Sequence, residues 1–164
     1  MRIQFSLTCQ RGTIIPINYQ SELSSWIFSV LAKGGAELNG YIQTLGFDLG
    51  SKDFKLFTFS PLAIYPYEMD QTKQEFRLLG NQVKLTLSFW LGQQFEQQLV
   101  HLFRQYPLQL GTFEGNPATF EVKHWQVMPK MGFKETMTFR VSSPISVGSS
   151  SPSSNSALSA PGMS

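Results

Sequence analysis

The chain has 164 residues, of which 41% are hydrophobic and 15% charged, with a formal net charge of +2 and a single cysteine. That length fits one domain, and the composition excludes collagen, a coiled coil and a wholly disordered chain. One cysteine excludes a disulfide framework and a cysteine zinc cluster. The chain lacks an apolar run of about 18 residues and an N-terminal apolar signal block, so we expect a cytoplasmic protein without a membrane-spanning helix.

The first 47 residues predict a strand followed by two helices. Alternating apolar residues mark a half-buried strand at the N-terminus: Ile3, Phe5, Leu7 and Cys9. Apolar residues from Leu23 to Leu31 recur at helical spacing, which predicts a helix over 22–33 that is capped near Asn18 or Ser21. The same spacing from Leu38 to Leu45 predicts a second, short helix that stops at Gly46.

The remaining pattern alternates between strands and one helix. It predicts strands over 54–60, 83–91, 117–128 and 134–141, and a helix over 93–105. Phe76 and Leu78, followed by Gly80–Asn81, predict that a further strand forms a hairpin with the strand over 83–91.

This order predicts an α+β, ferredoxin-like βαββαβ domain, in which one antiparallel sheet is covered on one face by the helices over 22–33 and 93–105. The uncovered face would carry polar side chains, among them Arg2, Gln4, Lys84 and Ser88.

The C-terminal segment has a different composition. Residues 142–164 include 11 serines and three prolines but no charged residue. Such a segment buries too little apolar surface to offset its ordering entropy, and we predict disorder from about residue 148. We therefore expect a domain over 1–141 and a junction with a Ser-rich tail over 142–164.

Residue types and spacing alone identify few candidates for catalysis. His101 and His124 are the only histidines, lie on different predicted elements and are expected to be structural or solvated. Cys9 lies on the apolar side of its strand, where an inert core thiol is expected. The sequence therefore predicts no metal site.

Lysines and phenylalanines alternate in one stretch, where Lys52 and Lys55 lie among Phe54, Phe57 and Phe59. Basic and aromatic residues on a strand can bind single-stranded nucleic acid through charge and stacking. Considered alone, the stretch is better explained as an edge strand whose phenylalanines are buried and whose lysines are solvated.

Three motifs occur in an order and spacing that resembles a known family. They are P-I-N-Y-Q-S-E-L-S-S-W-I-F (16–28), E-L-N-G-Y-I-Q-T-L-G-F (37–47) and F-K-L-F-T-F-S-P-L (54–62). Together they resemble the N-terminal half of the CRISPR repeat-RNA processing endoribonucleases, the sixth Cas protein family of the RAMP superfamily. S-S-P-I-S-V (142–147) resembles the junction with that family's second domain.

The resemblance implies an activity as well as a fold. Members have two ferredoxin-like domains in tandem, bind the repeat in precursor CRISPR RNA and cleave it without a metal cofactor. The 2′-hydroxyl of the RNA attacks the adjacent phosphate and leaves a 2′,3′-cyclic phosphate. The chemistry needs a base, an acid and a cation that stabilises the charge on phosphorus.

Carried onto this chain, the family pattern places Lys55 at the lysine position, Gln43 where a histidine is expected and Phe28 where a tyrosine is expected. Gln43 exchanges no proton near neutral pH and Phe28 has no hydroxyl, so we expect weakened cleavage. The resemblance also implies that Lys52, Asn18 and Tyr19 contact RNA.

The resemblance covers residues 1–147, and the family's second domain with its glycine-rich loop has no counterpart after them. We expect much of the interdomain RNA groove to be missing as a result. Three hypotheses remain: a weakened endoribonuclease, a non-catalytic RNA-binding subunit or remnant, and a ferredoxin-like protein-interaction module. Partners could include precursor CRISPR RNA, other Cas effector subunits or a second copy of the chain, but no membrane.

Overall fold

The computed structural model describes residues 1–44, 57–111 and 117–129, together with the isolated residues 132, 135, 136 and 138. Strands in these ranges are β1 (Arg2–Thr8), β2 (Ile14–Pro16), β3 (Phe57–Phe59), β4 (Tyr67–Asp70), β5 (Glu75–Leu78), β6 (Gln82–Phe89), β7 (Leu108–Leu110) and β8 (Ala118–Val127). The α-helices there are α1 (Gln20–Ala32), α2 (Gly35–Thr44) and α3 (Glu96–Gln105), the last preceded by a 3-10 turn at Gln93–Phe95.

The main sheet confirms the predicted ferredoxin-like architecture. Its five strands lie in the order β3-β6-β1-β8-β7, and all neighbours are antiparallel. β1, α1, β3, β6, α3 and β8 follow one another along the chain as a βαββαβ unit, with β1 in the centre of the sheet. β1 therefore has a neighbouring strand on each side, and its alternate residues lie on the covered and open faces of the sheet.

One apolar cluster joins the helices to the covered face of this sheet. Ile3, Phe5 and Leu7 of β1 have no exposed surface, and the ring of Phe103 on α3 lies 5.2 Å from the ring of Phe5. The apolar side of α1 is buried as its spacing predicts, through Leu23, Trp26, Ile27, Val30 and Leu31. These contacts fix α1 and α3 on the same layer of the fold.

The predicted hairpin through Gly80–Asn81 is wrong. β5 pairs with β4 and β2 in a separate three-stranded sheet, whereas β6 pairs with β1 and β3. Leu78 exchanges backbone hydrogen bonds with Gly12 and Thr13, and the Cys9 N–H donates to the Asn81 carbonyl. The chain therefore passes from one sheet to the other at Gly80–Asn81 and continues alongside the β1–β2 segment.

Three short strands, β2, β4 and β7, were not predicted from the sequence. The first helix begins near the predicted position, since α1 starts at Gln20, and the residue that precedes it is Tyr19, which makes no side-chain capping bond. The predicted strand over 134–141 and the Ser-rich tail lie almost entirely outside the described residues.

The chain divides into a compact unit, Met1–Met131, and a second unit, Gly132–Ser164. All of the elements above belong to the first unit. The predicted domain boundary at residue 141 stays a prediction.

Candidate nucleic-acid interface

The face of the main sheet opposite the helices carries polar side chains in rows across three strands. Directly opposed residues of an antiparallel pair share a face. Lys84 of β6 is opposite Ser6 of β1, and Ser6 is opposite His124 of β8. The Lys84 and His124 side chains are exposed, so this row presents an ammonium group, a hydroxyl group and an imidazole.

A second row lies beside the first and consists of uncharged hydrogen-bonding groups. Thr86, Gln4 and Gln126 are opposed across β6, β1 and β8. The Gln4 amide nitrogen donates to the Thr86 hydroxyl over 3.4 Å. Amides and hydroxyls both donate and accept hydrogen bonds, which suits contacts with base edges. The predicted placement of Arg2, Gln4, Lys84 and Ser88 on this face agrees with the observed register.

One acidic side chain, Glu121, lies where this face meets the groove between α3 and β8, and it is paired with a lysine. Glu121 is opposite Thr8 on β1, and its carboxylate accepts a hydrogen bond from the Lys123 ammonium over 2.6 Å. That hydrogen bond and the charge of Lys123 lower the pKa of Glu121. Both side chains are more than half exposed, so their attraction is weakened by solvent.

Two of the predicted catalytic residues, Phe28 and Gln43, are described, and both lie on helices rather than on the open face. Phe28 of α1 packs edge-on against Phe57, with ring centres 4.9 Å apart. Gln43 lies exposed in the last turn of α2. Lys52 and Lys55 lie outside the described residues. A Phe28 ring held against β3 supplies packing, and no proton-transfer group, at that position.

Tyr19 has a structural place that differs from its predicted contact with RNA. Its side chain is 3% exposed, and its hydroxyl accepts a hydrogen bond from the Leu62 N–H over 2.9 Å. Burial raises the pKa of Tyr19. The side chain therefore connects the chain after β3 to the start of α1 and is too buried to stack on a base, whereas the neighbouring Asn18 is exposed.

Sequence reasoning did not single out His124 as a partner of Lys84. The alternation in β1 and β6 was sufficient to place Arg2, Gln4 and Lys84 on one face. His124 joins them through the register of β8, which includes an irregularity opposite Ser6 and Leu7. Period-two patterning assigns a face within a strand, but it carries no information on such a shift.

The described ranges offer neither a metal-binding cluster nor a membrane-spanning helix. No group of three or more His, Cys, Asp or Glu side chains in them could hold a metal ion. None of the helices in those ranges has the length and apolar character needed to cross a bilayer. The only histidines, His101 and His124, lie exposed on α3 and β8.

The fold is similar to solved CRISPR-associated structures. A CRISPR-associated protein Cas6 matches with a TM-score of 0.55 and 24% identity, over 80% of this chain and 49% of that chain. A Cas6-related protein from Pyrococcus furiosus matches with a TM-score of 0.60 and 21% identity, over 82% and 50%. A RAMP protein described as binding different RNA substrates matches with a TM-score of 0.59 and 19% identity, over 82% and 51%.

These matches show that the chain has the fold of Cas6 and RAMP proteins, in agreement with the resemblance of its three motifs. The chain spans about half the length of each of these structures. No protein-family model and no curated protein matches the sequence.

Proposed function

We propose that this chain is an RNA-binding member of the Cas6-related RAMP proteins, and that it binds the repeat of CRISPR RNA on the open face of its main sheet. The observation that carries the proposal is the row of exposed Lys84, half-buried Ser6 and exposed His124, on a fold shared with a RAMP protein described as binding RNA. The open face of a sheet of this kind binds single-stranded RNA in other proteins.

The positions of the charged residues support this proposal better than the net charge of the chain does. A net charge of +2 is too small to mark the whole chain as a nucleic-acid binder. Arg2, Lys84 and His124 nevertheless share one face, and the carboxylate of Glu121 there is already hydrogen-bonded to Lys123. The positive side chains Arg2 and Lys84 on this face can attract a polyanion locally although the net charge is small.

Each row of the face would have its own task. Lys84 and His124 suit contacts with phosphate oxygens, which position an RNA without reading its sequence. Gln4, Thr86 and Gln126 suit hydrogen bonds to base edges, which carry sequence preference. A repeat with a defined sequence needs both kinds of contact.

The binding test compares Lys84→Gln with Lys73→Gln, which removes an equal charge from the exposed turn between β4 and β5. We expect Lys84→Gln to weaken repeat-RNA binding about tenfold at low salt, because a hydrogen bond to a charged group contributes about 1.5 kcal/mol. The slope of log affinity against log salt should become shallower by about 0.7. Fluorescence anisotropy over a salt series measures both quantities.

Lys73→Gln should leave affinity and slope unchanged. Equal losses in the two variants would instead indicate attraction to the net charge. A chain that binds no RNA in low salt would refute the proposal and favour the protein-interaction module, for which no salt-dependent RNA affinity is expected.

For cleavage, we propose that this chain binds repeat RNA and cleaves it slowly or not at all. Attack by the 2′-hydroxyl requires a base and an acid, and the side chains at the two expected positions, Gln43 and Phe28, do not exchange protons near neutral pH. Lys55, by resemblance, would supply the cation that stabilises the phosphorane. Binding to other Cas subunits, self-association and a cytoplasmic location remain predictions of the sequence.

Gln43→His tests whether a missing proton-transfer group limits cleavage. We expect the substitution to raise the rate at which repeat RNA is cut to a 2′,3′-cyclic phosphate by about tenfold or more, since general acid–base catalysis contributes about 10²–10⁴-fold. Gel analysis of end-labelled RNA in EDTA measures this rate. The control is Gln71→His, which adds a histidine in the turn after β4. Equal rates in both variants and the parent chain would contradict the assignment of Gln43 to the base position.

A further inference from the structure

A β-bulge at Lys123 changes the direction of the side chains at the end of β8. Leu7 of β1 is opposite Val122, whereas the preceding Ser6 is opposite His124, so Lys123 is the extra residue. A bulge shifts the alternation of the strand that contains it. Trp125 is consequently opposite Phe5, on the face of the sheet that the helices cover.

Trp125 lies beside a basic groove between α3 and β8. The guanidinium carbon of Arg104 lies 5.4 Å from the ring centre of Trp125, and 37% of the tryptophan remains exposed. The groove has a volume of about 780 Å³, and its lining includes His101, Arg104 and Lys123. The bulge therefore brings an accessible aromatic ring and cationic side chains from two elements together.

We propose that single-stranded RNA bound on the open face continues over the part of β8 that lies beyond its pairing with β7 and into this groove, where Arg104 and Lys123 bind phosphates and Trp125 stacks on a base. The proposal rests on the proposed RNA-binding function. The row Lys84, Ser6 and His124 ends at β8, and His124 directly precedes Trp125, so the two surfaces meet at consecutive residues.

The chemistry of the groove favours RNA over an acidic peptide. Arginine and lysine bind phosphate and carboxylate alike. An exposed indole ring beside them adds a stacking surface, and stacking on a base is sequence-tolerant and substantial for single-stranded nucleic acids. A flexible single strand can also follow the turn from one face of the sheet to the other.

Glu121 acts as an internal competitor in the groove. Its carboxylate, which is 61% exposed, accepts the hydrogen bond from Lys123 that an RNA phosphate would otherwise accept. Exposed ion pairs are weak, so phosphate can replace the carboxylate. Removing the carboxylate should therefore strengthen RNA binding.

The experiment measures anisotropy of a fluorescent, unstructured RNA of about 12 nucleotides, a length within the range bound by one single-strand-binding fold. Arg104→Gln and Lys123→Gln in the full chain are compared with Arg77→Gln and Lys73→Gln on the three-stranded sheet. We expect each groove variant to reduce the salt slope by about 0.7, while the controls leave it unchanged.

Two further variants give changes of opposite sign. Trp125→Leu should weaken binding about five- to 150-fold through lost stacking, with circular dichroism confirming that the variant is folded. Glu121→Gln should strengthen binding by up to about fivefold. Photo-crosslinking to 4-thiouridine RNA should label the tryptic peptide 124–130, which contains Trp125.

The outcomes separate this inference from the proposed function. If Lys84→Gln weakens binding and all four groove variants match the controls, the open face binds RNA and the groove does not. If the parent chain binds no RNA, both fail. If polyglutamate competes as well as unlabelled RNA and Trp125→Leu has no effect, the groove is a general anion site and the proposal is overturned.

Discussion

The two faces of the main sheet are built from the same strands but differ in burial: one is apolar and covered by helices, and the other is polar and open. On β1, Ile3, Phe5 and Leu7 have no exposed surface, whereas the intervening Gln4 and Ser6 are only half-buried. One face is joined to α1 and α3 through aromatic contacts, and the other presents polar rows. Stability and RNA binding should therefore respond to substitutions on opposite faces.

Removing a large ring from the covered face should have the largest effect on stability. Phe103 has no exposed surface, and its ring lies 5.2 Å from that of Phe5 and 5.1 Å from that of Trp26. We expect Phe103→Ala to lower the free energy of unfolding by about 3–5 kcal/mol, because the ring is lost and a cavity remains. Urea denaturation followed by circular dichroism measures this change.

The control for that substitution lies on the open face. Gln82→Ala removes an exposed side chain of β6 and should change the free energy of unfolding by less than about 0.5 kcal/mol. A loss of similar size in the two variants would show that the open face is packed against something, and the comparison of the faces would fail.

Tyr19→Phe should have an intermediate effect on the free energy of unfolding, and it tests whether Tyr19 belongs to the core. The change removes the oxygen that accepts the Leu62 N–H and leaves a buried donor without its partner. We expect a loss of about 1–3 kcal/mol in the free energy of unfolding, measured by urea denaturation. Tyr65→Phe, at a side chain that is 86% exposed, should be neutral.

The RNA affinity of the folded Tyr19→Phe variant distinguishes a structural role of Tyr19 from a contact with RNA. An unchanged stability together with weaker RNA binding would return Tyr19 to the role that the sequence resemblance implied. A lower stability with unchanged affinity of the folded protein would support the structural role.

The sequence predicted most of the main sheet because its signals are local. Strict alternation in β1 and β6 and helical spacing in α1 each reflect burial of one side, and burial of one side is what fixes those elements. Leu78 was assigned to the wrong pair because a turn dipeptide indicates a change of direction without identifying the partner strand. The path of the chain around Gly80–Asn81 is set by backbone hydrogen bonds that Leu78 makes with Gly12 and Thr13 and that Asn81 accepts from Cys9. All three of these residues are distant in sequence.

The candidate interface was predicted only in part, for a related reason. Lys84 and Gln4 follow from alternation, but the positions of His124 and Trp125 depend on the extra residue at Lys123. A bulge stems from long-range pairing and leaves no local sequence signal. Tyr19 was assigned by resemblance to RNA contact, and its burial depends on the Leu62 backbone, which is remote in sequence.

Cys9 tests how far the covered face extends beyond the end of β1, with the smallest expected effect. It continues the apolar alternation past Thr8, but it is only half-buried. Burial raises the pKa of the Cys9 thiol, and a hydrogen bond with the Thr13 side chain offsets part of that change. A raised pKa lowers the fraction of reactive thiolate at a given pH, so we expect alkylation by iodoacetamide at about pH 8 to be several-fold slower than in the urea-unfolded chain.

Cys9 is the single cysteine of the chain, so mass spectrometry of the whole protein reports the reaction directly. The rate should approach that of the unfolded chain as the pH rises, because the thiolate fraction then increases in the folded state. Equal rates at pH 8 would place the limit of the covered face at Leu7.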